Sequence, residues 1–255
     1  MRAVLCCLLK SPIGSRPLKE ARRRVVNPTI VSLVPMRHHS ERVPGKNYRP
    51  FAGRPLYHHV VNSLLACPLI AAVVIDTDSP TIMEDAAHAF PAVRVLERPE
   101  RLRAGTTPMN DVLLNDTAQI QADFYLQTHS TNPLLRAETI SAAIERFLDA
   151  YPVYDSLFSV SRLRTRLWDG LARAINHNPA ILQRTQDLSP IYEENSCLYI
   201  FTQAGLERRH NRIGERPLLF EIDRPEAMDI DEELDFEIAE FLFQRRADAK
   251  GHASS

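Results

Sequence analysis

Neither sign of charge is in surplus: 31 Lys and Arg stand against 32 Asp and Glu over 255 residues, a formal net charge of -1. That balance excludes a surface built to coat nucleic acid. It confines any basic site to one locality, where a compact anion fits better than a polyanion. Cysteine chemistry is sparse as well. Cys6, Cys7, Cys67 and Cys197 have no Cys-x-x-Cys or Cys/His ligand spacing, which excludes a zinc module and a disulfide scaffold and fits a reducing cytoplasm. No apolar run reaches membrane-spanning length, so no membrane partner is expected. Residues 3–9 are at the short limit for a secretory leader, and residues 10–24 turn basic without a small-residue cleavage site. Residues 1–27 are therefore expected as a disordered N-terminal extension. Internal repeats and low-complexity segments are not evident.

What is there is enough apolar material, 44% of the chain, to bury the core of one large domain. From Thr29 onward, short apolar runs at 30–34, 70–75, 93–96, 124–127, 156–160 and 197–201 alternate with stretches of helical spacing. Leu56, Val60 and Leu64 mark one such stretch; Ile140, Ile144, Phe147 and Leu148 mark another. This alternation predicts a three-layer, mostly parallel, Rossmann-like α/β sheet, with runs such as Ala71-Ala72-Val73-Val74-Ile75 buried on both faces. Residues 162–194 break the rhythm with mixed charge, Trp168 and several prolines. They read equally as an inserted element for self-association or a lid and as a long surface excursion.

Polar clusters follow the strand-like runs, at the sheet edge where open α/β folds bind ligands. The first is the most informative. In VSLVPMRHHSERVPGKNYRPFAGRPL, residues 31–56, Arg37, Arg42 and Lys46 fall within ten positions, followed by Asn47. Pro44-Gly45 supplies a turn that lets backbone approach phosphate oxygens. Several fixed cations suit a nucleoside triphosphate, because transfer of a nucleotidyl group puts growing charge on the pyrophosphate that leaves.

Asp229 and Asp231 form a second constellation. Two residues apart on an extended chain, they point to one side, where both carboxylates meet one hard cation such as Mg2+. The same residues also fit a helix start, with Asp229 and Glu232 as a capping-box pair and Leu234, Ile238, Phe241 and Leu242 as the buried face behind it. Asp76-Thr77-Asp78 has the Asp-x-Asp form of metal-dependent glycosyltransferases, although Asp76 equally suits a cap for a helix from Pro80. The pairs His38-His39 and His58-His59 lack ligand spacing, and Trp168, Tyr192 and Tyr199 read as packing residues.

The segment VPMRHHSERVPGKNYRPFAGRPL resembles the signature of the cytidylyltransferases that activate sialic acids and related acidic keto sugars, whose usual form is close to PARGGSKRIPGKN followed by GKPL. VVIDTDSPTI, ERPERLRAGTTPMNDVL, YLQTHSTNPLLRAETI, ENSCLYIF and AMDIDEELDFEIAEFL resemble further family segments in the family's order, so the likeness runs from about Thr29 to Phe241.

The resemblance implies a nucleotide-diphospho-sugar transferase fold and a domain over 28–246, with a disordered tail over 247–255. It assigns Arg37, Lys46 and Arg42 to the triphosphate and to catalysis, and Asn47, Asp78, Thr106 and Thr107 to the nucleotide. Gln127 and Asn195 fall to the sugar, and Asp229 and Asp231 to magnesium. CTP and an acidic keto sugar are the implied substrates, in a cytoplasmic homodimer whose protomers meet through an arm at 162–194.

The chain departs from the family at His38-His39, where Gly-Gly is common, and at Glu41, where a lysine is common. An acidic group there repels a triphosphate unless it is turned away. Octulosonate-activating relatives also lack that lysine. The expected activity is synthesis of a CMP-activated sialic or related nonulosonic acid. The rivals are CMP-octulosonate synthesis, an Asp-x-Asp glycosyltransferase and a catalytically silent nucleotide-binding homologue.

Overall fold

Each of the six apolar runs from residue 30 onward becomes a strand. The computed structural model describes residues 27–253, and the expected extension therefore lies, apart from Asn27, outside the described residues. The chain order is β1 (Ile30–Met36), a hairpin of β2 (Pro50–Phe51) and β3 (Arg54–Pro55), α1 (Leu56–Leu65), β4 (Ala72–Thr77), α2 (Pro80–Ala89), β5 (Arg94–Glu97), α3 (Met109–Thr117), β6 (Phe124–Gln127), α4 (Ala137–Ala150), β7 (Ser156–Leu163), β8 (Ile191–Phe201), α5 (Gln203–Arg209), β9 (Pro217–Glu221) and α6 (Glu233–Ala253). Seven strands form one sheet in the order β5-β4-β1-β6-β8-β7-β9. Only β8 runs against its neighbours, pairing antiparallel with both β6 and β7. Among the described residues no helix is long and apolar enough to cross a membrane.

The sheet is covered on both faces, which explains why all seven residues of the central β1 are buried. Ile30 and Val34 pack with Tyr57, Val60 and Leu64 of α1, Ile82 of α2 and Ile140 and Phe147 of α4. Val31 and Leu33 face the other way, onto Leu113 of α3 and Leu206 of α5. Each fully buried aliphatic side chain contributes about 1.5–3 kcal/mol. A smaller cluster of Val43, Phe51, Leu56, Ile230, Phe236 and Ala239 clamps the basic loop and its hairpin against the start of α6.

Several sequence expectations shift. Ser79, not Asp76, caps α2, its side chain accepting from the Ile82 amide, with Pro80 in the first turn. Asp76 cannot reach that amide because it is buried on Arg98. The last helix starts at Glu233, and Asp235 accepts from the amides of Asp231 (3.0 Å) and Glu232 (2.8 Å), so the reach-back cap lies three residues beyond the Asp229/Glu232 pair. Its buried face is Phe236 and Ala239, while Leu234, Ile238 and Phe241 are exposed. The small Ala239 permits close packing, and Glu240 is needed on that side to accept from the Ala52 amide of the hairpin turn at 2.6 Å. The expected tail is helical through Ala253, since residues 243–250 contain helix formers and no proline. β9 escaped the sequence reading because an edge strand of five residues with a leading proline carries little periodicity.

Residues 164–190 leave the sheet between β7 and β8, which extend as a ribbon with Arg162 opposite Tyr192 and Leu163 opposite Ile191. The excursion contains only a short turn of helix at Thr185–Asp187 and one bridge between Trp168 and Ala174. Trp168, Leu171, Ile175, Ile181 and Leu182 are exposed along it.

Candidate active site

The segments that follow the carboxyl ends of β1, β5 and β6 and the stretch leading into α6 enclose a cavity of about 540 Å³. Arg37, Arg42, Lys46, Asn47, Thr107, Asp229 and Asp231 all line it, so the topology joins two segments almost two hundred residues apart. Gly45 takes φ 67° and opens the helical turn that carries Lys46 and Asn47. In that left-handed region a side chain is strained, and a Cβ there would meet the Tyr48 ring at 3.0 Å.

Each charged group has a defined partner. Arg42 Nη2 lies 2.6 Å from Asp231 Oδ1, and Lys46 Nζ lies 3.9 Å from the same oxygen while donating a hydrogen bond to the Ile230 carbonyl. Burial lowers the Lys46 pKa, against the opposing pull of Asp229 and Asp231. The Asp229 pKa is raised by burial first, against hydrogen bonding from Thr131 and the charge of Lys46. Its Oδ1 is buried without a hydrogen-bond partner. An orphaned carboxylate oxygen beside a second carboxylate fits a divalent cation. Among the described residues no set of three acidic, His or Cys side chains is arranged as a metal cage, so the remaining ligands of such an ion would be substrate oxygens and water.

Asn47 braces the loop. Its amide donates to the Arg37 carbonyl at 2.8 Å and its oxygen accepts from Ser130 Oγ at 2.7 Å. Asp78 is not among the residues lining the cavity; it accepts the His38 amide at 2.7 Å and fixes the loop from behind, aided by His38 Nδ1 against Ser79 Oγ at 2.7 Å. Glu41 is not turned away: it lines the cavity, and its carboxylate approaches Gly105 from the same side as the Arg37 guanidinium. Thr106 is exposed beside Thr107 rather than within the lining.

Gln127 and Asn195 also stand outside the lining. Gln127 Oε1 accepts from Arg212 at 2.6 Å and its amide donates to the Thr128 carbonyl at 3.1 Å. Asn195 is held between Ser159 (2.6 Å) and Ser161 (3.0 Å) across β7 and β8. As Asp76 is committed to Arg98 and Asp78 to a backbone amide, the Asp-x-Asp triplet does not present two free carboxylates to a metal.

Three participants escaped the sequence reading. Arg98 lines the cavity from below, buried with Asp76 and Asp116. Burial and then the charge of Asp76 push Asp116 up to about 8, and burial likewise raises Asp76. His129 lines the cavity with a buried, unpartnered Nε2, its pKa lowered to about 3 by burial and then by Arg212 and Lys46. Arg212 stays outside the lining and reaches Gln127. Only the polar cluster after β6 hinted at His129; Arg98 and Arg212 gave no local signal, because their partners come from other strands.

A family model described as "Cytidylyltransferase" matches residues 31–253. The CMP-N,N'-diacetyllegionaminic acid synthase of Legionella pneumophila is 28% identical over 232 residues, covering 86% of this chain and 98% of its own length. The pseudaminic acid cytidylyltransferase of Campylobacter jejuni is 24% identical over 225 residues, with 83% and 95% covered. A solved CMP:2-keto-3-deoxy-manno-octonic acid synthetase, complexed with CTP, superposes with a TM-score of 0.63 at 16% identity, covering 86% of this chain and 99% of that one. That likeness shows the nucleotidyltransferase α/β fold.

Proposed function

Because the chain belongs to the cytidylyltransferase family, and is therefore a nucleotidyltransferase, we propose that it transfers CMP from CTP to a nonulosonic acid. The substrate class is a sialic, legionaminic or pseudaminic acid, and pyrophosphate is the second product. The observation that carries this reading is the meeting of Arg37, Arg42 and Lys46 with Asp229 and Asp231 in one cavity. The choice of sugar class rests on the relatives matched over nearly their whole length.

The sugar's anomeric hydroxyl attacks the α-phosphorus. A new P–O bond forms while the bond to pyrophosphate breaks, with no covalent enzyme intermediate. Arg37, Arg42 and Lys46 hold the triphosphate and offset the charge that develops on the departing pyrophosphate. Asn47, by tying the far end of the loop back to Arg37, and Asp78, by holding His38, keep the loop in shape for this. Thr107, with the exposed Thr106 beside it, faces the nucleotide from the segment after β5. Asp229 and Asp231 would hold a magnesium ion, which would supply positive charge to offset that of the phosphates during transfer. Gln127 and Asn195 shape the sugar side.

The working unit is a cytoplasmic homodimer built from a catalytic domain over 28–246. Residues 164–190 carry five exposed large apolar side chains, which supports their use as the arm that joins protomers.

The test is pyrophosphate release from purified protein with CTP, magnesium and a panel of eight- and nine-carbon keto acids. The expected result is release only with CTP and a nine-carbon acid, yielding a CMP ester by mass. Turnover confined to octulosonate would reassign the sugar. Tight CTP binding with silence across the panel would mark a nucleotide-binding homologue.

A further inference from the structure

Arg212 is a partly buried cation with no carboxylate at ion-pair distance among the described residues. Burial is the main cause lowering its pKa. Withdrawing a guanidinium from water without a counter-ion is unfavourable, so an anion that arrives there is favoured. The group is nonetheless rigidly placed. Its carbon lies 3.5 Å above the Tyr199 ring, one Nη donates to Gln127 at 2.6 Å, and its backbone amide donates to Asn110 at 3.2 Å, next to Met109 of the cavity wall. The charge of Glu194 acts on Arg212 from a distance, and its carboxylate accepts from the Tyr199 hydroxyl.

We propose that Arg212 is the anchor for the carboxylate of the sugar substrate, and that Gln127 serves it by orienting the guanidinium rather than by touching the sugar. The inference rests on the reading of this cavity as that of an acidic-sugar cytidylyltransferase. Gln127 holds one Nη, and a planar guanidinium fork is suited to a planar, two-oxygen anion.

His129 lines the cavity with a neutral ring on which the charges of both Arg212 and Lys46 act, so both cations lie within electrostatic reach of one cavity residue. The triphosphate falls to the Lys46 side and the carboxylate to the Arg212 side. In an α-keto acid sugar the carboxylate is bonded to the anomeric carbon that bears the attacking hydroxyl, so holding one positions the other.

The experiment compares wild type with Arg212→Met, Arg212→Lys and Gln127→Glu. CTP affinity is measured by calorimetry, and kcat/KM is measured for the best nine-carbon acid of the panel and for its methyl ester. Arg212→Met is expected to lower kcat/KM for the acid about a hundredfold and bring acid and ester to similar rates, with CTP affinity within about threefold of wild type. Arg212→Lys, which keeps charge but not the fork, falls between. Gln127→Glu gives Arg212 an internal counter-ion, so it should lose about tenfold or more on the acid without losing thermal stability, an effect a packing role would not produce. If Arg212→Met does not fold, the other two variants decide.

Unchanged kcat/KM for the acid, or CTP affinity falling as far as sugar use, overturns this inference alone. A wild-type enzyme that binds CTP but turns over no acidic sugar overturns the proposed function with it.

Discussion

Lys46 reaches the acidic pair from within the protein, donating to the Ile230 carbonyl while its charge acts on both Asp229 and Asp231. Lys46→Ala should lower CTP turnover by about a hundredfold or more, the effect of removing one preorganised charge from a phosphate-transfer site. Steady-state pyrophosphate release checks it, with a thermal melt to show that the fold is kept. Asp116 supports a different test. Its folded pKa of about 8 lies above its ordinary value of 3.8, so the folded state holds a proton that the unfolded state has already released. Its contribution to stability is complete below pH 3.8 and is lost as pH rises toward 8. Asp116→Asn should therefore flatten the fall of urea midpoint with pH across that window, and an unchanged slope would contradict the assignment. The basic loop of Arg37, Arg42 and Lys46 and the Asp229/Asp231 segment were legible in the sequence because the residues of each are local neighbours. Asp76, Arg98 and Asp116 were not, because a buried charge network between strand ends and a helix leaves no spacing pattern.

At the scale of elements, α6 shows where periodicity runs out. Its sequence contains two apolar stripes, and both Leu234-Ile238-Phe241 and Phe236-Ala239-Phe243 keep helical spacing. Only the packing partner decides between them, and the β2–β3 hairpin selects the stripe with the smaller Ala239. The cap moved for a related reason: Asp229 is drawn into the cavity wall and the Ile230 amide donates to the Thr131 carbonyl, so helix can begin only afterwards. Asp235→Ala removes the reach-back cap and should cost about 1 kcal/mol, read from urea unfolding at constant m-value. Asp231→Asn, by contrast, should spare stability and impair turnover. The reverse result would return Asp231 to a capping role.

For the whole molecule, the parallel sheet was legible because central strands buried on both faces are apolar throughout. The ribbon of β7 and β8 was visible only as a break in that rhythm, since its pairing extends beyond the sheet. If its exposed apolar side chains join protomers, Leu171→Asp combined with Leu182→Asp should convert a particle of twice the 29.0 kDa chain mass into a monomer by sedimentation.

The central claim is that the cavity holds CTP while a sugar hydroxyl attacks its α-phosphorus. The most direct measurement follows a nine-carbon keto acid whose anomeric oxygen has been exchanged with heavy-oxygen water. Mass analysis should find a CMP ester with the heavy oxygen in the sugar–phosphate bridge and one unlabelled pyrophosphate for each ester. Heavy oxygen in the pyrophosphate, or CTP consumed without a CMP ester, would contradict the account.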